Sequence, residues 1–69
     1  MADNVYKSLE ITGTSSKGSD DAIRTAISRA SKSIRNIKWF QVLEVRGGIE
    51  AAKVARWQVT IKIGFTLDK

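Results

Sequence analysis

The chain of 69 residues contains no cysteine and no histidine. Without cysteine no disulfide can staple the fold, and without either residue a structural zinc site of the usual kind is excluded. The same absence removes the commonest general base and the commonest thiol nucleophile. The seven carboxylates form no inward-facing pair that would replace them. The serines cluster in a loop and a helix with no base beside them to activate a hydroxyl. The expectation is a protein that is not an enzyme. Long apolar runs are missing as well: no stretch of about 18 residues is apolar enough to span a bilayer. The opening MADNVYKSLE lacks the basic-then-apolar layout of a secretory leader. With the missing cysteine, these features set the expectation of a cytoplasmic protein.

What remains has to make a fold with few resources. The length fits one domain over residues 1–69, and a chain this short buries only about 60% of its unfolded surface. With disulfides and zinc excluded, association of several copies is the remaining route to more buried area. Twelve Lys and Arg against seven Asp and Glu give a net charge of +5, which suits anionic partners. The basic residues are scattered, so charge alone selects none.

Hydrophobic periodicity divides the chain into four elements. Residues 4–12, NVYKSLEIT, alternate: Val5, Leu9 and Ile11 lie with Lys7 on one side, and Tyr6, Ser8, Glu10 and Thr12 on the other. Residues 13–19, GTSSKGS, read as a loop. Ser19 reads as a helix N-cap, with Asp20 and Asp21 favourably placed in the first turn. Ala22, Ile23, Ala26, Ile27, Ala30 and Ile34 then recur at helical spacing, with Arg24, Arg29, Lys32 and Arg35 mostly opposite, which predicts an amphipathic helix over 20–35. A second strand is predicted over 37–46 and a third over 53–67, with Gly47-Gly48 supplying the turn of a hairpin. The order is β-α-β-β. A helical crossover followed by a hairpin predicts an α+β fold: a three-stranded antiparallel-type sheet, order 1-3-2, wrapped on one amphipathic helix.

Two features of this arrangement predict a homo-oligomer. The third strand would extend about 50 Å at about 3.3 Å per residue, whereas the helix would cover only about 24 Å. One helix does not hide that strand's whole apolar face. The second strand is apolar on both sides, with Phe40 and Val42 on one and Ile37, Trp39, Leu43 and Val45 on the other, a pattern that marks burial on both faces.

Hairpin parity assigns the two adjacent aromatics of RNIKWFQVLEV to opposite faces. Phe40 shares a face with Trp57 and the apolar residues of strand three, pointing toward the helix, and Trp39 points away. A four-residue loop, Gly47 to Glu50, would set Trp39 directly opposite Gln58. Trp39 then reads either as interface packing or as a flat platform for a planar ligand whose polar edge meets the Gln58 amide. Gln58 on its own is an ordinary polar residue on a solvated strand, and Arg46, Arg56, Lys38 and Lys62 are ordinary surface charges or edge guards. A basic oligomeric module stacking single-stranded nucleic acid on Tyr6 and Trp39 is the alternative reading. No GXXG loop, RNA-recognition aromatic motif or helix-turn-helix supports it.

The opening VYKSLEITGTS, the helix start DDAI, the block RNIKWFQVLEVRG and the closing RWQVTIKIGFTL resemble the dodecins, a family of small flavin-binding proteins, over nearly the whole length. The resemblance implies a hollow shell of twelve subunits with flavin held between subunits at symmetry axes. It also implies isoalloxazine rings stacked on Trp side chains of two related chains, with a Gln at the polar edge of each ring. The matching positions are Trp39 and Gln58. The implied role is storage or sequestration of riboflavin or FMN, with stacking that quenches the excited ring. Bacterial relatives place basic residues near the end of strand two and in strand three to hold the FMN phosphate. Arg46 matches the first, and Thr66 departs from the second, which leaves riboflavin open. Alternation would place Arg46 on the helix face unless a bulge intervenes. A separate coenzyme A site is also implied for some members, with no residues assigned.

Overall fold

Alternation in the first strand outlasts the point where glycine and serine begin. In the computed structural model, which describes residues 3–67, β1 runs Tyr6–Ser15 and takes in Gly13, Thr14 and Ser15, which composition alone assigns to a loop. The helix explains the difference. Gly13 is buried, and a methyl group built on it would overlap the Ala22 carbonyl oxygen and come within 2.9 Å of Ala26 Cβ. A residue without a side chain is what lets α1 (Ser19–Ala30) approach the sheet this closely.

The helix is shorter than the predicted 20–35, and its cap is Gly18 rather than Ser19, with no side chain capping the first turn. Ser15 organises the entry instead. Its hydroxyl donates to an Asp21 carboxylate oxygen at 2.7 Å and accepts from the Lys17 N–H at 2.9 Å. Asp20 and Asp21 lie in the first turn and Arg29 in the last, each at the favourable end of the helix dipole. Beyond Ala30 the chain makes one more turn, in which the Ser31 N–H and hydroxyl both donate to the Ile27 carbonyl and the Ile34 N–H donates to that of Ala30. Asn36, at φ 63°, then redirects the chain into the sheet, in a left-handed conformation that Asn tolerates better than most residues.

β2 (Ile37–Glu50) and β3 (Lys53–Thr66) form a long hairpin. Its turn is not at Gly47-Gly48, which lie inside β2 and have no positive φ. The chain reverses at Ala51-Ala52, with φ of 52° and 63°, between the paired residues Glu50 and Lys53. These are the φ signs of a type I′ turn, held here by two alanines. Gly47 instead permits close strand approach, since a methyl group there would come within 2.6 Å of the Arg56 carbonyl oxygen.

The sheet has the order β1-β3-β2, with β3 antiparallel to both neighbours. This is the expected α+β, β-α-β-β arrangement. Pairing of β1 with β3 is regular from Tyr6 opposite Thr66 to Ser15 opposite Trp57. Pairing of β2 with β3 is interrupted three times, leaving Lys38 and Leu43 in β2 and Ala55 in β3 without an opposite position. Each bulge exchanges inside and outside for the residues beyond it.

The core consists of Val59, Ile61 and Ile63 of β3 under Ala22 and Ala26 of the helix, flanked by Leu9, Ile11, Ile23 and Ile27. The helix packs on β1 and β3, so β2 receives little cover from its own chain. Phe40, Val42 and Val45 pair with Ile63, Ile61 and Val59 on the helix side, yet they remain 47%, 41% and 51% exposed. Phe40 thus faces the expected way but does not enter the subunit's own core, because the helix does not reach it. Among the described residues no helix is long and apolar enough to cross a membrane.

Candidate ligand-binding face

The face of the sheet away from the helix carries the even-numbered residues of β1 and β3. Down the middle run Thr66, Gly64, Lys62, Thr60, Gln58 and Arg56, with Tyr6 to Thr14 beside them on β1. Thr12 and Thr60 share a hydrogen bond of 3.0 Å across this face. Trp39 belongs to it, because its partner on β3 is Gly64. The register differs from the four-residue-loop expectation: Trp39 is opposite Gly64 and not Gln58. The turn lies further along the chain than Gly47-Gly48, so β2 slides past β3. Gln58 and Gly64 are six positions apart, about 20 Å at about 3.3 Å per residue. One chain therefore does not bring Trp39 and Gln58 together.

At the Trp39 end, the indole lies over Gly64. A methyl group at Gly64 would overlap indole atoms Cε2 and Cζ2. Across the central strand, the Tyr6 ring meets Trp39 edge-on, with centroids 6.1 Å apart and planes at 64°, a favoured aromatic geometry. Trp39 keeps 38% of its surface exposed, so the ring is supported on one side and open on the other. Its position was legible in the sequence and its support was not. Glycine inside an otherwise β-branched strand is the signal that marks such a close approach.

At the other end, Gln58 pairs with Arg46 and the next position on this face joins Gly48 to Arg56. The Ala55 bulge turns Arg46 outward: without it, Arg46 would pair with Trp57 on the helix side, as simple alternation predicts. The Leu43 bulge then restores the original parity, which returns Trp39 to the outer face. The Arg46 guanidinium donates to a Glu44 carboxylate oxygen at 2.6 Å, with both side chains largely exposed. That hydrogen bond first, and the Glu44 charge second, raise the Arg46 pKa above its ordinary value, so its charge is fixed at any physiological pH. Thr66, where a second base would match the resemblance, lies on this face opposite Tyr6. The Arg56 guanidinium lies over Gly48, where a methyl group would come within 3.0 Å of Nη2.

Chemically, this face offers a supported aromatic surface at one end and an amide with two guanidinium groups at the other. Among the described residues no group of three or more acidic, His or Cys side chains is placed to hold a metal ion.

A family model described as Dodecin matches residues 5–68. A curated dodecin of Thermus thermophilus is 45% identical over 65 residues, which is 94% of each chain. The structure of dodecin from Streptomyces davaonensis superposes with a TM-score of 0.92 at 47% identity, covering 99% of this chain and 100% of that one. Dodecin from Streptomyces coelicolor gives 0.91 at 46%, covering 100% of this chain and 99% of that one.

Proposed function

Since the chain belongs to the dodecin family, we propose that it is a non-catalytic flavin-binding protein. It holds riboflavin or FMN between subunits of a homo-oligomer, a dodecameric shell, and keeps the bound flavin dark. The observation that carries this reading is the indole of Trp39, supported by Gly64 beneath and Tyr6 at its edge, with its other face open. A three-ring isoalloxazine matches that surface in shape and apolarity, and stacking of this kind is favourable for extended π systems.

Gln58 fits the polar edge of the same ring, because a carboxamide both donates and accepts. Since Trp39 and Gln58 lie at opposite ends of one chain's sheet, the site draws them from different subunits. This makes assembly a condition of binding. Arg46, turned onto the same face beside Gln58, is the candidate for a phosphate tail, with Glu44 as its competitor for the guanidinium. Stacking on an electron-rich indole opens a non-radiative path for the excited ring, so the role is to store flavin and limit its photochemistry.

The test is a titration of riboflavin or FMN into the purified protein, following flavin fluorescence, with Trp39→Ala alongside. Strong quenching by the wild type, lost in the variant, is the expected result. No quenching at micromolar protein overturns the flavin reading. Salt-sensitive retention of a single-stranded oligonucleotide, in place of quenching, would favour the nucleic-acid reading.

A further inference from the structure

Gly64 is the one buried residue of the outer face among those described, although no element of the chain crosses it. Its cover is the Trp39 indole. The glycine sits on the central strand with Trp39 opposite on one side and Ser8 opposite on the other. In the run Val59-Thr-Ile-Lys-Ile63 that precedes it, every residue but Lys62 favours strands, and glycine in such a strand weakens it by itself. What glycine provides is room. Any side chain at 64 would occupy the space of the indole Cε2 and Cζ2 atoms and lift the ring off the sheet. Tyr6 acts from β1: its ring and the indole meet in a T-shaped contact, with centroids 6.1 Å apart and planes at 64°. The indole is thus in contact with the sheet at Gly64 and with a second ring at Tyr6.

We propose that Gly64 and Tyr6 are positioning residues for the Trp39 platform, holding the indole flat before a ligand arrives and thereby setting flavin affinity. This rests on the flavin-binding reading and adds two residues to its site. A side chain already ordered in its bound orientation loses less freedom on binding, so the benefit appears as tighter binding with no contact from either residue to the ligand.

The experiment uses the assembled full-length protein and riboflavin. Gly64→Ala should weaken binding tenfold or more while leaving the elution volume on size exclusion unchanged. Tyr6→Ala should weaken it several-fold, and Tyr6→Phe, which keeps the ring, should retain wild-type affinity, because the contact is between the two rings. A ligand-free readout runs in parallel. The chain has two tryptophans, so in a Trp57→Phe background the emission belongs to Trp39, and time-resolved anisotropy reports its local motion. Tyr6→Ala should add a fast component that Tyr6→Phe does not. Wild-type affinity in Tyr6→Ala, or an anisotropy decay that this change leaves unaltered, overturns the proposal. If Gly64→Ala fails to assemble, the two Tyr6 variants decide. If the wild type itself does not bind riboflavin, the flavin reading falls, and the anisotropy comparison still shows whether Tyr6 orients the indole.

Discussion

Trp39 lies over Gly64, and Gln58, the partner that a four-residue loop would give it, is opposite Arg46 instead. A ligand that touches both Trp39 and Gln58 therefore takes them from two chains. Gln58→Ala should weaken riboflavin binding about tenfold, the effect of about 1.4 kcal/mol for one lost hydrogen bond. A riboflavin titration of the assembled variant checks this, and an affinity equal to the wild type's would remove Gln58 from the site.

The apolar side of β2 supplies the second prediction. Val45 is 51% exposed in the single chain and lies on the helix side opposite Val59. Val45→Asp places a charge where a neighbouring subunit is proposed to sit, and burying an unpaired charge is strongly unfavourable. The expected result is a folded small species by light scattering after size exclusion, with flavin binding lost. Wild-type assembly in this variant would show that the face is not an interface.

The hairpin turn predicts a gain. Ala51 and Ala52 both hold positive φ, a conformation that disfavours residues with a Cβ by about 1–2 kcal/mol each. Ala51→Asn with Ala52→Gly provides the pair that this turn type favours. Stability should rise by about 1 kcal/mol once the greater freedom of glycine in the unfolded chain is offset. A thermal melt reads this directly, and flavin affinity should be unchanged.

Glu44 and Arg46 make a prediction about ligand choice. Both side chains are exposed, and ion pairs of that kind contribute little to stability. Glu44→Gln should leave the melting temperature where it is and free the guanidinium, raising affinity for FMN relative to riboflavin. Arg46→Ala should lower that ratio. The Arg46 pKa is raised by its Glu44 hydrogen bond and then by the Glu44 charge, so the group stays protonated at and well above neutral pH. Any change in FMN affinity between about pH 5 and 7 then follows the phosphate's own second ionisation, near 6, with tighter binding as pH rises. A ratio unaffected by either variant would remove Arg46 from the tail site.

The elements of this fold were legible from period alone, because helix and strand patterns here do not compete. Val59, Ile61 and Ile63 alternate without exception, and Ala22, Ala26 and Ala30 keep helical spacing. Details that depend on contact with another element were not legible. Gly13 looks like loop until Ala22 is seen packed on it. Gly47-Gly48 looks like a turn, since glycine is the usual carrier of positive φ, yet two alanines hold that conformation. For the site, parity gave the direction of Trp39, but the residue opposite it depends on where the turn falls. The direction of Arg46 depends on a single unpaired residue at Ala55, which leaves no mark in the hydrophobic pattern. Phe40 reads as core because the pattern records a face and not whether anything covers it.

The bulges have one more effect. β2 is an edge strand of fourteen residues, long and apolar enough to template pairing with stray chains. Cross-β stacking needs a uniform segment of about six or seven residues. The interruptions at Lys38, Leu43 and Ala55 divide the pairing along β2 into uniform runs, of which the longest, 44–48, has five residues and includes Glu44 and Arg46. The bulges thus break the free edge of β2 into segments shorter than such stacking needs, which makes this edge a poorer template for a stray strand than its length and apolarity suggest.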